Sequence, residues 1–163
     1  MPGVFIGALV LTNLRIRSLP SDTVADRVLV EKAARRLTLF RNRTPIATYR
    51  VALGRSPIGP KHREGDRRTP EGRYTIDRRK PDSSFHRALH ISYPNSDDAL
   101  RAVSRGESPG GDIMIHGIRN GLGWIGALHR TVDWTSGCVA VTDSEIEEIW
   151  RAVPDGTLVE IVP

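Results

Sequence analysis

Polar and apolar residues alternate along much of this chain with the period of two that a half-buried strand requires. Val28, Leu29 and Val30 make a short strand. Arg35 to Phe40 (RRLTLF) alternates, the turn RNRTP follows, and Ile46 to Leu53 (IATYRVAL) alternates again, which predicts a meander. Thr69-Pro70-Glu71-Gly72 is a turn feeding a strand over Arg73 to Asp77. Further strands are expected at Ala88 to Ser92, Asp112 to Ile115, Cys138 to Val141 and Thr157 to Val162. Two stretches have helical spacing instead. One runs from a cap at Ser96 or Asp97 to about Ser104. The other starts from Thr142 or Asp143 and puts Ile146, Ile149, Trp150 and Val153 on one face, with Glu145 and Glu147 near its positive end. Gly54 to Gly65, rich in Gly, Pro and charge, is a long surface loop of the kind that often carries binding function. Arg78 to Arg87 is basic and polar, and Gly117 to Trp134 is a glycine-rich loop. Short strands with two helices and no internal repeat predict a mainly β domain.

The polar stretch from Ser18 to Asp26 reads as a linker, which divides the chain into an N-terminal extension at 1–24 and a folded domain at 25–163. With 163 residues, one domain can bury an ordinary core without disulfides or metals to staple it. The net charge of +5 would suit nucleic acid, an anionic membrane or an acidic polymer, yet Arg is intermixed with Asp and Glu, as on a solvated basic surface. Aromatic residues make up only 6% of the chain, too few for a base-stacking platform, and no RNA-binding, zinc-finger or helix-turn-helix pattern appears. Nucleic acid is therefore not an expected partner. No apolar run approaches the roughly eighteen residues that span a bilayer. Val4 to Leu11 (VFIGALVL) is nevertheless apolar, and reads either as the remnant of a signal or anchor that could associate with a membrane, or as a first strand or leader. Nothing in the pattern fixes the oligomeric state.

The chemistry centres on one thiol. Cys138 is the single cysteine, so it has no internal disulfide partner and is core filler, a chance thiol or a nucleophile. Thr135, Ser136 and Gly137 precede it, and a glycine there lets a substrate approach backbone N–H groups that could form an oxyanion hole. Ile113, Met114 and Ile115 deliver His116 just before Gly117, as a strand end delivers a base to a cleft. A His and a Cys together would give a thiolate-imidazolium pair, with a backbone carbonyl such as that of Gly117 orienting the ring. His86 and His90 are four apart, but on a predicted strand and without HExxH or CxxC spacing, so neither a metal nor another cofactor is expected. His90 reads as a cleft or core histidine. Trp124 and Trp134 read as packing groups that could also contact a substrate.

Ile115-His116-Gly117 followed by Thr135-Ser136-Gly137-Cys138-Val139 resembles the signature of the L,D-transpeptidase (YkuD-type) catalytic domain: His-Gly, a spacer, then Ser/Thr-x-Gly-Cys and an aliphatic residue. VLVEKAARRLTLFRNRTPIATYRVALG is similar to that family's first hairpin, TPEGRYTI to its Thr-Pro-x-Gly-x-aromatic element, and SEIEEIW to its helix after the cysteine. The resemblance runs from Ala25 to Pro163. It implies a β-sandwich-like domain with mixed sheets and a few short helices, acting in the bacterial envelope or periplasm. The implied partners are peptidoglycan stem peptides, as donor and as acceptor. It implies Cys138 as nucleophile attacking the L-centre carbonyl of diaminopimelate, His116 as base, Gly117 as the orienting carbonyl, and the amides around Ser136 to Cys138 as oxyanion donors. Thr135, Ser136, Gly137, Arg119, Trp134 and His90 are the substrate-side candidates. Many members carry Arg or Asn two residues after the cysteine, where this chain has Ala140, and Arg119 and Arg130 are the candidates to replace that side chain. The spacer is also longer than in familiar members. The same thioester with water as acceptor, giving a carboxypeptidase or wall hydrolase, is the first alternative reading. A non-catalytic wall-binding module is the second.

Overall fold

The computed structural model describes residues 18–163. The Val4 to Leu11 run lies outside them. Eight strands form one mixed sheet: β1 (Arg27–Glu31), β2 (Arg36–Arg41), β3 (Thr44–Arg50), β4 (Gly72–Ser83), β5 (His86–Ile91), β6 (Met114–His116), β7 (Val139–Ala140) and β8 (Leu158–Val162). Their order across the sheet is β3-β2-β1-β8-β4-β5-β6-β7, with β1–β8 and β6–β7 parallel and the rest antiparallel. Two α-helices, α1 (Ser96–Ser104) and α2 (Asp143–Ala152), and a 3-10 segment at Gly123–Thr131 complete the described chain. This is the mainly β class with mixed pairing and short helices that the sequence predicts.

The sheet is pinned at both ends. Just beyond β3, Ala52 exchanges backbone hydrogen bonds with Ala140 of β7 at 2.9 and 3.0 Å, and Thr135 and Leu53–Arg55 continue the contact. The segment leaving the edge strand β3 therefore reaches β7, the strand at the other edge. Between them lies the core, built from the inward positions Val28, Val30, Leu37, Leu39, Ile76, Leu89, Ile91, Ile115, Val159 and Ile161, onto which α2 lays Ile146 and Ile149.

Several boundaries differ from the sequence reading, each for a local reason. β4 runs through Arg78, Arg79 and Lys80 to Ser83, because its outward positions are filled by basic side chains that leave no apolar alternation to read. The cap of α1 is Asn95, one residue before Ser96 and two before Asp97, the expected caps: its side chain accepts from Asp98 N–H while Asp98 accepts from Asn95 N–H, a complete capping box. The stretch expected to be a linker is anchored at Leu19 and Ala25, while Pro20, Ser21, Asp22, Val24 and Asp26 are exposed. Leu19 is buried, its N–H donates to Glu148 at 2.9 Å, and its carbonyl accepts from Arg151, so α2 holds it.

Candidate active site

β6 ends on His116, which pairs with Ala88 of β5 on one side and Ala140 of β7 on the other. The parallel β6–β7 pairing is what brings the histidine beside the cysteine segment. His116 and Cys138 both line a cavity of about 560 Å³, whose remaining wall includes Arg78 and Lys80 of β4, Ser84 and Phe85 of the β4–β5 turn, and Asp112 and Met114.

The imidazole of His116 is 3% exposed. Its Nδ1 lies 2.7 Å from the carbonyl of Gly117, which can only accept, so Nδ1 carries the proton and Nε2 is left as the basic nitrogen. Gly117 has no room for a side chain: a Cβ would stand 2.7 Å from Asp143 Oδ1. Asp143, at the start of α2, also accepts the Ile118 N–H at 2.8 Å, so that helix holds the turn behind the ring. Phe85 lies against the imidazole with centroids 4.4 Å apart, and Trp134 meets it edge-on at 5.7 Å. Burial lowers the His116 pKa to about 4, with the Gly117 carbonyl opposing the shift.

The thiol of Cys138 donates to the carbonyl of Asp112 at 3.4 Å, and Asp112 itself sits at φ +55, in the left-handed region. Burial pushes the thiol up to about 11, against the pull of the Met114 N–H. Both shifts disfavour the charged forms, so they work against a thiolate-imidazolium pair at rest.

The turn carrying the cysteine is braced from within. Thr135 Oγ1 accepts the Gly137 N–H at 3.1 Å and donates to the Cys138 carbonyl at 2.8 Å. Gly137 has φ +135, and a Cβ there would lie 2.7 Å from the carbonyl of Arg68, so both conformation and space demand glycine.

An L,D-transpeptidase catalytic domain (YkuD) family model matches residues 25–161. The chain belongs to this family. Among relatives of this L,D-transpeptidase-family domain, YafK of Escherichia coli is 34% identical over 109 residues, 65% of this chain and 36% of that protein. The helical cell shape determining protein Pgp2 from Campylobacter jejuni superposes with a TM-score of 0.66 at 26% identity, covering 86% of this chain and 48% of Pgp2. An L,D-transpeptidase from Xylanimonas cellulosilytica, at 15% identity and TM-score 0.55, covers 88% of this chain and 63% of its own and shares the fold. The domain thus spans about a third of YafK and about half of Pgp2.

The remaining candidates fall in different places. Ser136 is exposed on the cysteine turn. Trp134 lies behind His116, and its Nε1 donates to Nδ1 of the buried His129 at 3.2 Å. His90 sits on β5, 2.5 Å from Asp77 and 3.9 Å from Asp112, so it reaches the cavity wall only through Asp112. Arg119 is exposed and is not on that wall, and Arg130 is engaged by Glu145 at 3.2 Å. Ala140, where many family members carry Arg or Asn, is fully buried and exchanges backbone hydrogen bonds with Ala52. Among the described residues no group of three or more His, Cys, Asp and Glu could hold a metal ion, and His86 is instead 2.8 Å from Glu147. Phe85, Arg78, Lys80 and Asp112 stand on the wall without having been site candidates in the sequence, since no periodic or motif signal marks them as such.

Proposed function

We propose that this L,D-transpeptidase-family domain is a cysteine acyltransferase working on peptidoglycan stem peptides in the bacterial envelope. The observation that carries the reading is the tautomer of His116: with Nδ1–H spent on Gly117, the basic Nε2 remains for a thiol on the wall of the same cavity. Cys138 Sγ bonds to the L-centre carbonyl carbon of diaminopimelate in a tetrapeptide stem while Nε2 takes the thiol proton, so charge develops only as the bond forms. The Gly137 N–H is occupied by Thr135, so the amides of Ser136 and Cys138 are the donors for the oxyanion. Collapse breaks the C–N bond, and the departing D-alanine amine takes the proton from Nε2. An acceptor amine then attacks the thioester, gives its proton to Nε2 and releases the thiolate, which recovers that proton. The resemblance of Pgp2, a cell shape determining protein, supports a wall substrate.

Incubation with a tetrapeptide-stem muropeptide should give an adduct on Cys138 equal in mass to the stem less D-alanine, and Cys138→Ala should give none. A folded wild-type protein that never acquires this adduct would sink the reading. A second reading, hydrolysis of the thioester, is favoured by the wetness of the wall: the side chains of Arg78 and Asp112 are 61% and 83% exposed, so water reaches the site. A shortened stem without any cross-linked dimer selects it.

A further inference from the structure

A second cavity, of about 170 Å³, opens between the 54–70 loop and the segment after α1, walled by His62, Arg63, Asp66, Arg68, Arg105 and Glu107. Its charges do not balance. The carboxylate of Asp66 is already saturated: it accepts Lys61 Nζ at 2.7 Å and the backbone N–H groups of His62, Arg63 and Arg68 at 2.8, 3.1 and 3.2 Å. Burial raises its pKa, but these donors outweigh that and hold it below the usual carboxylate range. Glu107 reaches only Arg63, at 3.9 Å. Arg68 and Arg105 form no ion pair among the described residues, and Nδ1 of His62 is buried with no hydrogen-bond partner. Arg68, Arg105 and His62 all line this one small cavity, and guanidinium and imidazole N–H groups are the donors that carboxylate and phosphate oxygens take.

We propose that this cavity is an oxyanion site, holding a carboxylate or phosphate group through Arg68, Arg105 and His62. The site stands on its own donors and does not depend on what Cys138 does. It is nonetheless mechanically joined to the cysteine turn, because the carbonyl of Arg68 is the atom packed against Gly137 and that of Arg67 is packed against Gly54. An anion that draws the Arg68 side chain toward Arg105 pulls on the segment that shapes that turn.

The test is titration at low ionic strength with two probes, inorganic phosphate and N-acetyl-D-alanine, followed by the imidazole nitrogen resonances of the five histidines, with His62 assigned through His62→Gln. At least one probe should shift the His62 Nδ1 signal saturably. Arg105→Gln should weaken that binding by about fivefold or more, and Glu107→Gln, which removes the competing carboxylate, should tighten it. Arg119→Gln, exposed and off the cavity, should change nothing, and Cys138→Ala should bind like wild type. Response to N-acetyl-D-alanine alone would identify the group as a peptide carboxylate, and preference for phosphate would identify a phosphorylated ligand. Either result supports the site. A shift that never saturates with either probe, or one that is unchanged in Arg105→Gln, would overturn it.

Discussion

A thiol pushed up to about 11 is a poor nucleophile by itself at neutral pH, so Cys138 depends on a base at the moment of attack rather than before it. Alkylation by iodoacetamide should accordingly be slow near pH 7 and climb about tenfold per pH unit toward 11. A rate plateau between about pH 5 and 8 would mean that an ion pair exists at rest. His116→Ala should lower acylation by a stem peptide about 10²- to 10⁴-fold while changing iodoacetamide alkylation far less, with both rates read by mass spectrometry. Gly137→Ala should cost roughly 2–4 kcal/mol in denaturant unfolding, since the methyl group meets the Arg68 carbonyl and the backbone is left-handed. At this scale the sequence was informative about chemistry that repeats as a local motif. Cys138, His116 and the Thr-Ser-Gly turn could be named as candidates because they sit in a short ordered pattern. Phe85 could not, since nothing in a hairpin turn announces which ring it will stack on.

The elements around the site are held by side chains that read as surface. Arg79 projects from β4 onto the end of α2, donating to the carbonyls of Trp150 (2.8 Å) and Val153, pairing with Asp155 at 3.0 Å and covering the Trp150 ring at 4.7 Å. It thereby satisfies carbonyls that the last turn of a helix leaves without partners. Arg79→Ala should destabilise the domain by roughly 2–3 kcal/mol and Arg79→Lys by nearly as much, because a lysine offers no fork, as thermal unfolding would show. Thr142, whose hydroxyl accepts the Glu145 N–H while Glu145 accepts from Thr142 N–H, contributes about 1 kcal/mol to the other end of the same helix. Both helices and nearly every strand were legible from spacing, because their apolar residues fall on one face. The second half of β4 was not, since Arg78 and Lys80 face the cavity and Arg79 faces the helix. The 3-10 segment was hidden too, for its run breaks at Gly126 (φ 55, ψ −136) and keeps no period.

For the molecule as a whole, burying neutral histidines ties stability to acid. His116 and His129 are both lowered from 6.5 to about 4, in each case first by burial. Above pH 6.5 neither state carries the extra protons. Between 6.5 and 4 the unfolded chain binds protons that the folded chain refuses, so stability falls as pH falls through that window, by roughly 3 kcal/mol for His116 alone. Cys138 acts at the other extreme: with its pKa raised from 9.0 to about 11, stability declines as pH rises between those values. Urea unfolding at pH 7, 5 and 4 should show the acid loss, and His129→Phe should reduce it. The bridge between Ala52 and Ala140 adds a matter of timing. It joins residues far apart in the chain, so closing it costs the entropy of ordering a long intervening loop. β7 is held by β6 on one side and by that bridge on the other, so a chain that has not closed the bridge lacks one of the two supports of the cysteine segment. A half-folded copy would carry Cys138 as an ordinary exposed thiol, more easily ionised than in the folded domain and with no shaped cavity to choose what it meets.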